Sequence, residues 1–386
     1  MEIALILDRF DSQHGGLEHW AFQYASWLNK HGHRVHIVAA ECAPEMNQEP
    51  FMLHPLGPTK SRVAFASTVE RYLRQLQPEI VHDLGSGWYF DILQPQFGSR
   101  LADARQNLRT LPFLQRLRKR FSPSQRRRWR ELRGFEDRQY GAAGGRVIAV
   151  SKMTREHLRH FNHVPGERVS VVHNGVDTGM FRPSLDGVRR REIRKERGIE
   201  DKVVLLLVAH NFRLKGLDTL FGALVLLRAD PVHALVVGRG EWEKYQAIAD
   251  ARGVRDKITF CRFVDDIREY YHAADICVHP TFYDPCSLAV LEALACGLPV
   301  ITTRCNGASE LIEDGVQGFI LENPASAVEL ARAIRRLTDI HLREQMRKAA
   351  RGAALRQNAE KCFEHIVEIY RQTKEAGQGR DSGAWA

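Results

Sequence analysis

The segment FYDPCSLAVLEALACGLPVI, Phe282 to Ile301, holds most of a strand-to-helix-to-strand passage. Pro285-Cys286-Ser287 makes a turn into an apolar helix, expected over Ser287–Cys296, and Gly297-Leu298-Pro299 ends it. An apolar run at Val300–Thr302 follows, and Ile276–His279 precedes, each reading as a buried strand. Two short apolar strands joined by a helix are parallel neighbours in one sheet.

The same alternation extends in both directions. Upstream lie strand Val203–Ala209, helix Gly216–Leu227, strand Ala234–Gly238, helix Trp242–Arg252, strand Ile258–Phe260 and helix Ile267–Ala273. Downstream come a short strand Phe319–Leu321 and helices at Ala325–Thr338, Leu342–Leu355 and Ala359–Lys374. A first half begins with strand Ile3–Leu7, a loop through Gly15-Gly16, helix Leu17–Lys30 and strand Val35–Ala39, continuing through helix Arg62–Gln77, EIVHDLG (Glu79–Gly85) and RVIAVS (Arg146–Ser151). Between the halves the pattern pauses at VSVVHNGVDTGMFRP, Val169 to Pro183, and an arginine-heavy helix Val188–Arg197 follows. The expected organisation is an α/β chain of two doubly wound, Rossmann-like domains, 1–178 and 179–358, facing across a cleft. A last helix, 359–375, is expected to pack back on the first domain, with a loose tail at 376–386.

The 386 residues suffice for two cores, and the apolar fraction of 44% is that of a globular protein. No apolar run is long enough to span a membrane, and the start lacks the features of a signal peptide, so a cytoplasmic location is expected. The seven cysteines show no C-x-x-C spacing and read as small apolar fillers. The net charge of +9 points to an anionic partner: nucleic acid, a membrane surface or a phosphorylated substrate.

Open α/β sheets bind ligands at the carboxyl ends of their strands. That rule selects the Gly15-Gly16 loop, the Asn211–Gly216 loop, the Gly238–Gly240 loop and the segment at Asp284. The first N–H groups of the helix opening at Ser287 have no internal acceptors and favour an anion. Glu292 lies about 7.5 Å further along the helix, comparable to the span from a diphosphate to the ribose of the same nucleotide. Asp284 precedes the turn, where a sugar carried on the diphosphate would expose its hydroxyls. Arg213 and Lys215 are two cations able to neutralise a departing diphosphate without a metal. No D-x-D motif of the metal-binding kind is present, so neither metal nor cofactor is expected.

With these residues in view, the chain resembles the retaining glycosyltransferases of family 4, which have the GT-B fold. The resemblance rests on PCSLAVLEALACGLPVITT followed by NGASELIEDGVQGFIL, with GGLEHWAFQYASWLNKHGHRVHIV, VVHNGVDTGMFRP and HNFRLKGLDTL in order before them. It implies a first domain that binds acceptor and a second that binds nucleotide sugar. In the second, the amides at Cys286, Ser287 and Leu288 would hold the diphosphate, Glu292 the ribose and Asp284 the donor sugar, with Gly16 and Gly238 close to the nucleotide sugar. Arg213, Lys215 and Asp284 would carry the chemistry. The family pattern is E-x7-E, and this chain has Asp284 in place of the first Glu. Acceptor contacts are expected from His14, Gly15, Glu18, Asp91 and Gln96, the last standing in YFDILQPQFGSR where the family has His-Gly-Gly. A glutamine cannot act as a base, so catalysis would rest on the donor phosphate and positioning.

The segment Arg105–Arg133 concentrates eleven Lys and Arg against Glu131 alone, with Leu108, Leu111, Phe113, Leu114, Leu117, Phe121 and Trp129 interleaved. It reads as a basic helix with an apolar edge suited to an anionic leaflet, and the resemblance is strongest to lipopolysaccharide-core glucosyltransferases, which carry a comparable insertion. The expected function is transfer of a hexose, glucose from UDP-glucose by preference, to a lipid-linked saccharide at the inner face of the cytoplasmic membrane. The rivals are a nucleotide-sugar epimerase of the same fold and a nucleic-acid-binding protein; the chain shows no nucleic-acid recognition motif.

Overall fold

The computed structural model describes residues 1–12, 15–141, 145–184, 187–262, 264 and 266–377. The chain divides into two compact units. The first comprises Met1–Arg105, Phe113–His173 and the segment from Glu360 onward; the second comprises Gln106–Pro112 and Asn174–Ala359.

In the first unit seven parallel strands, β1 (Glu2–Phe10), β2 (Arg34–Cys42), β3 (Met52–Pro55), β4 (Ile80–Asp83), β5 (Ile92–Leu93), β6 (Arg146–Ala149) and β7 (Val169–Val171), are ordered β3-β2-β1-β4-β5-β6-β7. Helices on both faces explain why β1 and β2 read as continuous apolar runs rather than alternating ones. The strand order reverses between β1 and β4, so the loops following these two strands are neighbours at the sheet's switch point. The helix Ala359–Glu375 belongs to this unit, and a buried polar chain holds it there. Tyr24 donates to the Tyr370 hydroxyl at 2.8 Å, and that hydroxyl meets His82 Nδ1 at 2.5 Å. Burial pushes the His82 imidazole down to about 3, so it remains neutral at physiological pH and the chain carries no buried charge.

In the second unit six parallel strands, β8 (Val203–Val208), β9 (Val232–Val237), β10 (Ile258–Phe260), β11 (Ile276–Val278), β12 (Val300–Thr303) and β13 (Gly318–Leu321), are ordered β10-β9-β8-β11-β12-β13. Here the reversal falls between β8 and β11, with Leu205 opposite Ile276. The arginine-rich helix Val188–Glu196 has a structural task at the opposite end of β11: Arg190 and Arg194 reach the buried Asp275 at 2.6 and 2.5 Å. The second unit is therefore a doubly wound sheet, with Asp284 on the loop that follows β11 at its switch point.

The basic segment is not one helix. It is distributed over three, Arg100–Arg109, Phe113–Phe121 and Pro123–Gly141. Thr110, Leu111 and Pro112 separate the first two and Ser122 the last two, since proline cannot continue a helix past the residue before it. Among the described residues no helix is long and apolar enough to cross a membrane. Part of the expected tail, 378–386, lies outside the described residues.

Candidate active site

The two loops at the β8/β11 reversal are bonded to each other. Phe282 N–H donates to the Leu214 carbonyl at 2.8 Å, and the Thr281 hydroxyl reaches the same carbonyl at 3.1 Å. Gly216 allows this approach: its φ is +79°, and a Cβ there would stand 2.1 Å from the Pro280 carbonyl oxygen. The result is that Lys215 Nζ lies 2.6 Å from Asp284 Oδ2 and 3.2 Å from the Tyr283 carbonyl. Burial opposes ionisation of Asp284, but Lys215 outweighs it, with help from His279, and holds the carboxyl well below the usual carboxylate range. Arg213 is half-buried on the same loop and, among the described residues, takes no hydrogen-bond or ion-pair partner.

Asp284 is not a helix cap. Ser287 caps the helix Leu288–Ala295, its Oγ accepting from Val290 N–H at 3.4 Å. The Ser287 amide is engaged too: it donates to Asn306 Oδ1 at 3.2 Å, and Ala308 N–H donates to the same oxygen at 3.0 Å. The Ser287 amide, expected to hold an anion, is thus occupied by a buried asparagine, and among the described residues the helix-opening amides left for a ligand are those of Leu288 and Ala289. Cys286 is buried, and its carbonyl accepts from Asn174 Nδ2 at 3.4 Å. Glu292 is half-buried, and the Tyr271 hydroxyl donates to its Oε2 at 2.7 Å. Burial, and then the Glu292 charge, push the Cys277 thiol up to about 12, so this cysteine is inert filling.

Gly238 and Gly240 are required by packing. Gly238 has φ +135°, and a Cβ there would fall 1.9 Å from the Ala209 carbonyl oxygen; one at Gly240 would fall 2.1 Å from the Phe212 ring. Arg239 offers its backbone N–H to His210 Nδ1 at 3.1 Å. These contacts fasten the β9 loop to the β8 loop beside the Asp284 cluster.

In the first unit, Gly15 precedes the helix Gly16–Lys30 in extended backbone, and among the described residues a Cβ on it would meet only the flexible end of Glu18, 2.7 Å away. His14 lies outside the described residues. Asp91, expected as an acceptor contact, is buried and has a structural occupation: its Oδ2 accepts the Val81 amide at 2.8 Å, fastening the start of β5 to β4. Gln96 is half-buried in the turn that precedes the helix Arg100–Arg109. Beside it, Phe97 lies under Gly85, whose φ is +115°, and Arg100 stacks on the Phe97 ring at 3.5 Å. The β4 loop closes on Asp83, which accepts from the amides of Gly85, Ser86 and Gly87 at 2.6, 2.7 and 2.6 Å. Burial nonetheless pushes the Asp83 carboxyl up to about 7.

The sequence reading passed over Tyr271, Asn306 and His279 as site residues. Tyr271 stands 21 residues before the carboxylate it donates to, and Asn306 stands 19 after the Ser287 amide it accepts from. His279 lies buried directly after β11, where an apolar strand end carries no signal of a site. Among the described residues no group of three His, Cys, Asp or Glu could hold a metal ion.

The fold agrees with comparison to known proteins. Residues 14–179 match the family Glycosyltransferase Family 4, and residues 189–353 match Glycosyl transferases group 1. The chain thus carries a glycosyltransferase domain in each half and has the GT-B fold. It is 26% identical over 368 residues to the lipopolysaccharide glucosyltransferase WaaG of Escherichia coli, covering 92% of this chain and 95% of that one. The crystal structure of WaaG superposes with a TM-score of 0.78 at 24% identity, covering 95% of this chain and 99% of that chain. HepE of Anabaena, crystallised with UDP-glucose, gives 0.75 at 19% identity, covering 96% and 100%. The chain spans about half the length (48%) of an uncharacterised glycosyltransferase of Methanocaldococcus jannaschii to which it is 30% identical over 187 residues, 47% of this chain.

Proposed function

We infer that this glycosyltransferase is retaining and takes a hexose from a nucleoside diphosphate sugar, UDP-glucose by preference, to a hydroxyl of a lipid-linked saccharide of the lipopolysaccharide-core kind. One observation carries the reading: the open amides of Leu288 and Ala289 lie between two anchored carboxylates, Asp284 held by Lys215 and Glu292 held by Tyr271. The diphosphate takes the amides and the helix's positive end, Glu292 accepts from the ribose hydroxyls, and Asp284 accepts from the sugar. Lys215 and Arg213 stabilise charge on the departing diphosphate, so no metal or cofactor is needed, and the acceptor attacks from the side the diphosphate leaves. His14, Gly15, Glu18 and Gln96 remain the acceptor-side assignments and Gly16 stays with the nucleotide sugar, while Asp91 contributes by holding the sheet. The identity of WaaG and the UDP-glucose bound to HepE support the choice of donor and acceptor.

A thermal-shift panel of UDP-, GDP- and ADP-hexoses tests the donor. UDP-glucose at about 100 times its dissociation constant adds about 2.7 kcal/mol of stability, and the largest shift is expected from it. A panel with no shift defeats the reading. Release of UDP only when acceptor is added separates transfer from epimerisation.

The basic segment supplies the membrane contact. In the helix Phe113–Phe121 no residue is buried, and Phe113, Leu114, Leu117 and Phe121 are 65%, 77%, 43% and 59% exposed. Their spacing places them on one face, with Arg116, Arg118, Lys119 and Arg120 around them. Each basic residue near an anionic surface contributes about 1 kcal/mol, which holds the enzyme at the inner face of the cytoplasmic membrane. The chain is expected to sediment with phosphatidylglycerol vesicles and not with phosphatidylcholine vesicles, and Leu114→Ser with Leu117→Ser is expected to release it. Retention on RNA in place of vesicles would favour the nucleic-acid reading.

A further inference from the structure

His279 stands at the end of β11, 2% exposed, and nothing in the reaction scheme above uses it. Its Nε2 lies 3.2 Å from Asp284 Oδ2 and 3.5 Å from Ser287 Oγ, and its Nδ1 is buried without a protein partner among the described residues. The ionised Asp284 is acceptor-only, so Nε2 must carry the proton and donate it. Nδ1 is then the bare nitrogen. An imidazolium would strand a buried N–H at Nδ1 and stand beside the Lys215 charge, so burial and that cation keep the ring neutral.

Two donors therefore converge on one carboxylate oxygen: Lys215 Nζ at 2.6 Å and His279 Nε2 at 3.2 Å, both on Oδ2. Oδ1 takes no donor among the described residues. The backbone on either side is fastened as well, with Asp284 N–H on the Cys305 carbonyl at 2.9 Å and Gly307 N–H on the Asp284 carbonyl at 2.8 Å. A short aspartate with one oxygen saturated has a single acceptor to offer.

We propose that His279 is a positioning residue that, with Lys215, fixes the Asp284 carboxylate so that Oδ1 alone receives one hydroxyl of the donor sugar. The division of labour follows from charge. Lys215 keeps the carboxylate ionised, whereas neutral His279 adds direction without adding a second cation next to the diphosphate. The inference rests on the reading of Asp284 as the sugar contact, and it goes further by assigning the orientation of that contact to a residue that touches no substrate.

The test compares binding of UDP and UDP-glucose by calorimetry in wild type, His279→Leu, His279→Gln and Asp284→Asn, each full-length. His279→Leu is expected to weaken UDP-glucose by about 10-fold or more, the worth of a hydrogen bond to a charged group, while UDP binding stays within about twofold. His279→Gln keeps an N–H donor and is expected to recover most of the loss. Equal weakening of UDP and UDP-glucose in His279→Leu, or a glutamine variant no better than the leucine one, overturns the proposal. Asp284→Asn tests the parent reading separately: if it leaves the ratio of the two affinities unchanged, Asp284 is not the sugar contact. If Asp284→Asn lowers the ratio and His279→Leu does not, only the role of His279 fails. Wild type that binds neither ligand ends both. Should His279→Leu not fold, nitrogen-15 spectra of the wild-type histidines decide: a neutral ring protonated at Nε2 is required at pH 7, and an Nδ1–H tautomer or a charged ring refutes the assignment.

Discussion

Replacing Lys215 with methionine is expected to lower kcat by about 10²- to 10³-fold, the usual cost of removing one preorganised group that stabilises charge developing on a leaving group. The ammonium has three donors; two reach Asp284 Oδ2 and the Tyr283 carbonyl, leaving the third for the diphosphate. The substitution also strands a carboxylate whose side chain is only 13% exposed, so about 3 kcal/mol of stability is expected to go with it at neutral pH. The pH dependence identifies the origin of that loss. In the wild type the folded-state pKa of Asp284 is depressed, so its contribution is present above the unfolded value of about 3.9 and fades as the pH falls through the folded one. Without Lys215 burial prevails and raises the carboxyl, so the variant gains from protonation where the wild type does not. Urea titrations at pH 7.5 and pH 4 are therefore expected to show the gap between the two proteins narrowing in acid. A gap of equal size at both, or turnover close to that of the wild type, removes Lys215 from the mechanism.

Glu292→Ala is expected to weaken UDP and UDP-glucose in parallel, by about 10- to 100-fold, because both ligands carry the ribose and each hydroxyl donates to a charged acceptor. That parallel loss distinguishes Glu292 from Asp284, whose substitution should affect only the sugar-bearing ligand. The same change is expected to leave stability within about 1 kcal/mol. Tyr271 is the reason: its hydroxyl also has the Ala289 carbonyl at 3.2 Å, so no buried donor is abandoned when the carboxylate goes. Calorimetry with the two ligands and a urea titration of the variant check both halves. UDP binding at wild-type strength would mean that Glu292 does not hold the ribose.

The architecture was readable because it rests on local rules. The run FYDPCSLAVLEALACGLPVI forms its helix between Ser287 and Gly297, whose φ of +76° is the left-handed turn that ends it. Strands buried on both faces need unbroken apolar residues, so β8 and β9 stood out from composition alone. Strands without such a signature escaped: Met52–Pro55, Ile92–Leu93 and Val169–Val171 hold two to four residues each, too few to show a period, and are strands because neighbours pair with them. The basic segment misled for the converse reason. Its charge and apolar residues suggested one amphipathic helix, whereas Pro112 and the break at Ser122 divide it into three.

For the site, the sequence by itself determined which residue types stand at strand-to-helix loops: a carboxylate before a helix, another one turn and more into it, and two cations on a neighbouring loop. Only the tertiary structure decided which of their atoms are available. It assigned the Ser287 amide to Asn306, Asp91 to the Val81 amide and the glycines of the β9 loop to packing against Ala209 and Phe212, and it brought Tyr271 and His279 to the two carboxylates. The physical reason is that a hydrogen bond has direction and a reach of about 3 Å, so its partners are chosen by how strands of one sheet stack side by side and not by their distance along the chain.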